Sequence, residues 1–351
     1  MSHNRRNTAH ADPHEQTNLQ HDATRRTLLK AVAGMAGAAA VNGAGLLTAG
    51  ASLFASGTAH AQGSGKTIRI GYQKYGNFVV LKARGTLEKR LAPQGISVQW
   101  LEFPGGPQLL EGLNAGAIDI GTVGETPPIF AQAGGVDFVY IGSEPPAPKG
   151  EAIVVPEHSP IRTVADLRGK RVALNRGSNV HYLLVKALQS AKLDYRDIQP
   201  AYLAPADGRA AFTQNGVDAW VIWDPYLAAV QRQANARVLV DGEGLVDNVQ
   251  YYLASRKFAQ AERPLVQTLL DEIEKVDVYA RDHVSEVAAQ LSPLVGLDVP
   301  TLELALNRQS YDVQPITEKT IAYQQQIADT FTNLKLIPRK LDVADARWKT
   351  V

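Results

Sequence analysis

No cysteine occurs anywhere in the 351 residues. That absence removes thiol nucleophiles, cysteine-linked lipid anchors, disulfides and thiolate metal sites. Histidine is scarce where it would matter. Of eight His, only His158, His181 and His283 lie beyond residue 60. No two of these are four residues apart, so a zincin-type helical metal site is excluded. Charge of one sign is also missing: 36 basic against 35 acidic residues leave a formal net charge of +1. Nothing therefore marks a nucleic-acid partner. Asp and Glu do not take the spacing of an EF-hand loop. Asn175-Arg176-Gly177-Ser178-Asn179 lacks the second glycine of a nucleophile elbow. Gly63-Ser64-Gly65-Lys66-Thr67 echoes the tail of a phosphate loop, yet His60 stands where its first glycine belongs and no strand precedes it. No cofactor, metal or covalent chemistry is expected.

Residues 1–61 differ from the rest. A polar, His-rich start leads to Thr24-Arg25-Arg26-Thr27-Leu28-Leu29-Lys30, then an Ala/Gly-rich apolar stretch to about Phe54, then Ala59-His60-Ala61, an A-x-A cleavage pattern. Paired arginines before a weakly apolar segment resemble a twin-arginine (Tat) export signal. The competing reading is a membrane anchor, but Gly34, Gly37, Asn42, Gly43 and Gly45 make a poor spanning helix. The expectation is export to the periplasm with cleavage near Gln62. Removing five basic and three acidic residues from 36 and 35 leaves 31 and 32, a mature charge of about −1.

From Lys66 onward, strand and helix signals alternate, which argues for parallel sheets with helices on their faces. Strands are expected at 67–72, 96–103, 118–123, 136–142, 152–155, 170–174, 199–203, 237–240 and 251–254. Helices are expected from Asn77 to about Arg90, from Pro107 to Ala115, from Thr126 to Ala133, and from Gly177 to about Ala191. The Pro-dense run Ser143–Gly150 cannot be helix interior and reads as a crossing between lobes. Tyr251–Ala254 reads as the return crossing. Beyond Phe258 the chain reads helical, with breaks near Pro293, Pro300 and Pro315, and packs back on the first lobe. The expected division is 66–150 plus 255–351 for one lobe and 151–254 for the other.

One stretch of sequence occurs twice. Pro104–Phe130 is answered from Pro205 to Leu227: Pro104 by Pro205, Gln108 by Arg209, Asn114 by Asn215, Gly116 by Gly216, Asp119 by Asp218, Glu125 by Asp224 and Pro127 by Pro225. Each copy reads as loop, helix, short apolar strand and acid-proline turn. Helix starts near Asn77, Gly106, Thr126, Ser178, Asp207 and Asp224 would lie beyond strand ends, where open α/β sheets bind ligands. Unpaired backbone N–H groups and the helix dipole suit an anion there. Glycines at 76, 105, 106, 124 and 177 allow close approach, and the hydroxyls of Thr126 and Ser178 add neutral donors. Trp223 and Tyr226 supply an apolar wall, or Trp223 simply fills the core. Ser178, Asn179, Asp207 and Asp224 are equally good structural caps. His181, one turn into its helix, is either a satisfied surface or core histidine or a pH-responsive cleft donor. Glu125, Asp207 and Asp224 would repel an anion unless they cap helices or receive a donor group on the ligand's far end.

At these positions the chain resembles the aliphatic sulfonate-binding proteins of ABC importers, a group that also holds taurine-, nitrate- and thiamine-precursor-binding proteins. The matching segments include Ile70–Lys74, Glu102–Gln108, Gly124–Ala133, Tyr140–Pro146, Pro205–Asp207 and Asp218–Tyr226. Glu144-Pro145-Pro146 and Trp223-Asp224-Pro225-Tyr226 are the most specific pieces. The resemblance implies a type II periplasmic binding fold: two α/β lobes, a ligand cleft between them and two hinge crossings. It implies capture of an alkanesulfonate and delivery to an inner-membrane ABC permease by a monomer. Carried over residue by residue, the ligand-binding candidates are Gln73, Gly106, Pro107, Glu125, Thr126, Gly177, Ser178, Asn179, His181, Asp207, Trp223 and Asp224. Within the group, taurine, nitrate or another small anion is the alternative ligand. A desulfinase-like enzyme is the alternative of another class, and lacks the cysteine nucleophile here. Tyr75-Gly76-Asn77-Phe78, Thr126 and Asn179-Val180 depart from the group's wording, so fine specificity does not carry over.

Overall fold

The computed structural model describes residues 65–348; the predicted export signal at 1–61 lies outside them. Two five-stranded mixed sheets form the frame, each with its core strands buried on both faces. The first contains β1 (Lys66–Tyr72), β2 (Ile96–Glu102), β3 (Ile120–Gly124), β4 (Phe138–Ser143) and β10 (Gln250–Ser255), in the order β2-β1-β3-β10-β4. The second contains β5 (Glu151–Val155), β6 (Arg171–Leu174), β7 (Gln199–Tyr202), β8 (Ala219–Trp223) and β9 (Arg237–Asp241), in the order β7-β6-β8-β5-β9. The apolar runs of β4, β5 and β8 are buried at every residue. Edge strand β2 instead alternates half-buried and exposed residues over its first five positions, as the neighbours on each side require.

The sheets repeat one another. In each, one strand pairs antiparallel to both of its neighbours: β10 between β3 and β4, and β5 between β8 and β9. These two strands arrive directly from the opposite sheet, through 144–150 and 242–249. The return strand β10 lies in the first sheet along its whole length, so that crossing is complete before residue 250.

The internal repeat is real, but its register is not the one that identical letters suggest. Helices α3 (Gly106–Asn114) and α6 (Pro205–Thr213) close with matching bonds. Gly116 N–H donates to Leu113 O and Ala117 N–H to Gly112 O; Asn215 N–H donates to Phe212 O and Gly216 N–H to Ala211 O. Gly116 (φ 70°) therefore answers Asn215 (φ 55°), both in the left-handed region that ends a helix. Asp119 and Asp218 then receive the backbone N–H of Arg69 and Arg171. The offset is constant, so Gly106 answers Pro205, Gln108 answers Asp207 and Thr126 answers Pro225. Matching Pro104 to Pro205 and Asn114 to Asn215 sets the two helices out of register by a pair of residues.

Other helices follow local chemistry. The expected helix to Arg90 is two: Gly85, at φ 60°, ends α1 (Asn77–Arg84), and α2 (Thr86–Leu91) begins anew. Helix α4 is Pro127–Ala133, α5 is Asn179–Ser190, α7 is Tyr226–Ala234 and α8 is Arg256–Ala261. Beyond them run α9 (Arg263–Asp282), α10 (Val284–Val295), α11 (Val299–Leu306) and α12 (Glu318–Asn333). Pro293 does not break α10; the helix ends at Gly296, again in the left-handed region. Pro300 lies in the first turn of α11, where its missing N–H costs nothing. Helices α9 and α10 pack on the first sheet. The last two also reach the second lobe: Thr301 of α11 accepts from Arg232 Nε of α7 at 3.0 Å, and Phe331 of α12 packs on Tyr182 of α5.

Candidate functional site

The ends of β3 and β8, with the loops before α3 and α5, face one another across the junction of the two lobes. Three close approaches define that junction. A methyl group placed on Gly105 would lie 3.7 Å from Asn175 Oδ1 and 3.7 Å from Trp223 Cη2. One on Gly124 would lie 3.0 Å from the Asn179 side chain, and one on Gly177 would lie 3.3 Å from the Phe130 ring. At Gly124 and Gly177 the approach is tighter than ordinary contact, so a side chain there would press on the facing lobe; at Gly105 the contacts across the junction are ordinary, and the tight neighbour is Gln108 Oε1 at 3.1 Å. Gly177 also has φ 75°, which other residues rarely adopt.

Two hydroxyls stand out here. Thr126 and Ser178 occupy the positions that begin α4 and α5, yet neither makes a side-chain cap bond. Thr126 Oγ1 is fully buried and has no hydrogen-bond partner. Ser178 Oγ donates backwards to Asn175 O at 2.7 Å. That bond leaves its lone pairs free and fixes the loop. Asn175 Oδ1 and Gln108 Oε1 are likewise buried without partners. Neither amide was singled out from sequence, because an isolated Asn or Gln carries no spacing signal.

The acid residues divide by environment. Asp224 caps its own helix: Oδ1 accepts Ala228 N–H at 2.9 Å. Arg308, from the loop after α11, lies 3.4 Å from both carboxylate oxygens and donates 2.8 Å to Gln231 Oε1. Burial pushes the Asp224 carboxyl up to about 7, with Arg308 opposing the rise. Glu125 Oε2 accepts from Val249 N–H at 2.9 Å and Tyr323 Oη–H at 3.1 Å, while its backbone carbonyl accepts from Gln324 Nε2. Burial pushes its carboxyl up to about 8. Asp207, in contrast, is exposed in the first turn of α6.

The remaining candidates are also placed. Gln73 is buried and donates from Nε2 to Thr122 O at 3.0 Å. Gly106 is buried at the start of α3 and Pro107 half-buried beside it. Asn179 donates from Nδ2 to Glu151 and, at 3.1 Å, to Asn248 Oδ1. His181 is fully buried, with Nδ1 accepting from Gly177 N–H at 3.2 Å. Its ring packs among Phe130, Phe331 and Tyr195. Burial holds it neutral by lowering its pKa to about 3. Its other ring nitrogen, Nε2, is buried with no hydrogen-bond partner. Trp223 is 5% exposed and meets Tyr226 edge-on, ring centroids 6.5 Å apart.

Among the described residues no group of three or more His, Asp or Glu is placed to hold a metal. The arrangement offers helix starts, glycine backbone and neutral hydroxyls beside an aromatic wall. Its buried acids are either paired with a cation or pushed toward the neutral form.

Known proteins resemble this chain over most of its length. A family profile described as NMT1/THI5 like matches residues 91–286. An Escherichia coli (strain K12) protein named for binding aliphatic sulfonates is 46% identical over 291 residues, covering 82% of this chain and 91% of the relative. The alkanesulfonate-binding protein of Xanthomonas axonopodis pv. citri, solved with MOPS bound, superposes with a TM-score of 0.78 at 43% identity, covering 80% of this chain and 98% of that one. The periplasmic aliphatic sulfonate-binding protein of Escherichia coli gives a TM-score of 0.74 at 44% identity, covering 82% and 93%. These structures have the two-lobed fold of the periplasmic binding proteins, and the chain belongs to the NMT1/THI5-like family, among its aliphatic sulfonate-binding proteins.

Proposed function

We propose that this protein captures an aliphatic sulfonate between its two lobes and hands it to an ABC permease. It is a binding protein and not an enzyme, and it works in the periplasm. The observation that carries the reading is the pair of hydroxyls at Thr126 and Ser178, set at facing helix starts and left out of capping. A sulfonate head is a singly charged group with three acceptor oxygens; the N–H groups at the start of α5 match it without a cation, while α4 opens on Pro127 and Pro128, which have no N–H, and offers the Thr126 hydroxyl instead. In this reading Gly106, Pro107, Thr126, Gly177 and Ser178 surround the head, and Trp223 with Tyr226 covers the alkyl tail. Gln73, Asn179 and His181 hold the loops that carry them, while Glu125 and Asp224 stand behind the site. Asp207 is left at the rim.

The same proposal includes hinge closure around the ligand. One lobe is taken as 66–150 with the C-terminal helices and the other as the second sheet with its helices. It includes export of a monomer by the twin-arginine-type signal at 1–61 and docking of the closed form on the permease. Calorimetric titration with methanesulfonate, longer alkanesulfonates, taurine, nitrate and sulfate tests it. Binding of at least one alkanesulfonate more tightly than nitrate and sulfate is expected. Heat from none of the alkanesulfonates refutes the reading.

A further inference from the structure

Two amide oxygens from opposite lobes converge at the foot of the aromatic wall. Gln108 stands in the first turn of α3, behind Gly105 and Gly106. Asn175 directly follows β6 of the second sheet. A methyl group on Gly105 would meet Gln108 Oε1 at 3.1 Å, Asn175 Oδ1 at 3.7 Å and Trp223 Cη2 at 3.7 Å. The side-chain-free face of one glycine is thus bounded by two carbonyl-type acceptors and the edge of an indole ring. Both oxygens are buried without a hydrogen-bond partner, and Asn175 as a whole is 6% exposed. The loop that carries it is fixed, since Ser178 donates to Asn175 O from Oγ at 2.7 Å and from N–H at 3.3 Å.

A buried acceptor without a donor is unfavourable, and two acceptors facing one space also repel each other. A donor between them has to come from the ligand. Gly105 adjoins Gly106, beside the proposed head-group position, so the donor belongs on a carbon close to the sulfonate. The surroundings set its charge. An ammonium group buried here would need a free carboxylate. Asp224 is taken by Arg308. Glu125 accepts from Val249 N–H and Tyr323 Oη–H, Glu151 accepts from Asn179, and burial pushes both toward the neutral acid. Glu102 is exposed, with Lys74 3.9 Å away. A hydroxyl fits instead, because it is neutral and both donates and accepts. It donates to one amide oxygen and accepts from the N–H group of the other amide once that amide turns over, a rotation about a soft terminal torsion.

We infer that Gln108 and Asn175 read a hydroxyl next to the head group, so that the preferred ligands are hydroxyalkanesulfonates rather than plain or amino-substituted ones. The inference rests on the sulfonate reading given under the proposed function and narrows it to one class. The two amides come from different lobes, so the hydroxyl is bonded on both sides only when the lobes have come together. A plain alkyl chain leaves both amides unpaired, and an ammonium leaves its own charge uncompensated.

The test is calorimetric titration of the full chain with ethanesulfonate, isethionate (2-hydroxyethanesulfonate) and taurine (2-aminoethanesulfonate). The three share one carbon skeleton and differ only in the group on the second carbon. Isethionate should bind at least about tenfold more tightly than ethanesulfonate, and taurine more weakly than both, because a site built around a hydroxyl rejects the analogue that lacks it. Gln108→Met and Asn175→Leu keep the side-chain shapes and remove the amides. In each, the preference for isethionate over ethanesulfonate should fall at least about fivefold. A merely structural role would weaken both ligands alike and leave the preference unchanged, and that result overturns the inference. Ethanesulfonate or taurine binding the wild type as tightly as isethionate overturns it too, and leaves the proposed function standing. Heat from no alkanesulfonate at all refutes both. Urea unfolding without ligand adds a readout that needs no sulfonate: at least one of the two variants should gain about fivefold in folding constant as an unpaired acceptor is removed. A loss in both would show that the amide oxygens have partners within the protein, and would overturn the inference.

Discussion

Replacing Thr126 by valine should raise stability and lower affinity, a combination that few substitutions produce. The hydroxyl is fully buried at the start of α4, caps nothing and meets no partner. Leaving such a group unpaired in the unliganded protein costs about 1–3 kcal/mol, and valine fills the same space with a methyl group instead. The variant should therefore gain about 1–2 kcal/mol in urea unfolding without ligand. If the hydroxyl donates to a sulfonate oxygen, the complex loses a hydrogen bond to a charged acceptor, worth about 1.5–3 kcal/mol. At about 1.4 kcal/mol per tenfold, affinity for methanesulfonate in calorimetry should fall roughly 10- to 100-fold. A variant that gains stability and binds as the wild type does would show that Thr126 Oγ1 does not touch the ligand. A variant that loses stability would show that the hydroxyl has a structural partner, and the reasoning from its unpaired state would fail.

Ser178→Ala should behave differently, because its hydroxyl holds Asn175 O at 2.7 Å: about 1 kcal/mol of stability should go along with the affinity, measured by the same two assays. Trp223→Leu should reduce the gain in affinity per added methylene, about 0.8 kcal/mol when fully buried, while changing methanesulfonate binding less; an unchanged slope across an alkanesulfonate series would remove Trp223 from the tail wall. Arg308→Met leaves the buried Asp224 carboxylate without its cation, at a cost of about 3–5 kcal/mol when the acid is charged. Burial already raises the Asp224 carboxyl to about 7, so the acid contributes its stability below the ordinary carboxylate pKa and loses it as pH rises through 7. The loss caused by Arg308→Met should accordingly be larger at pH 9 than at pH 5 in urea unfolding, and an equal loss at both would count against the ion pair.

Local signals carried much of the architecture. Alternating strand and helix patterns, the buried runs of β4, β5 and β8, and the Pro-dense crossing are all consequences of nearest-neighbour chemistry and were legible as such. The errors lay where a single backbone conformation decides the outcome. Gly85 splits a continuous helical pattern because it adopts φ 60°. Pro293 stays inside α10, within a turn of its end at Gly296. The repeat was visible in its letters, but its register was not, since helix-ending bonds at Gly116 and Asn215 set it and identical residues two positions away do not. In the site, the loops were legible from glycine and proline. Arg308 and Glu151 were not, because each acquires its role from a partner distant in sequence; Asn175 and Gln108 were not, because only the fold buries their amide oxygens without a partner.

The chain by itself determined the architecture: alternating strand and helix signals from Lys66 onward, with one loop-helix-strand unit written twice, give two similar α/β sheets. What only the tertiary structure decided is the state of the acids. Sequence places Glu125 and Asp224 at equivalent turns and allows either to face an anion. Folding gives Asp224 an arginine from the far end of the chain and gives Glu125 only neutral donors, the Val249 N–H and the Tyr323 hydroxyl. Charge on a buried group depends on what surrounds it in space, and no reading along the chain contains that.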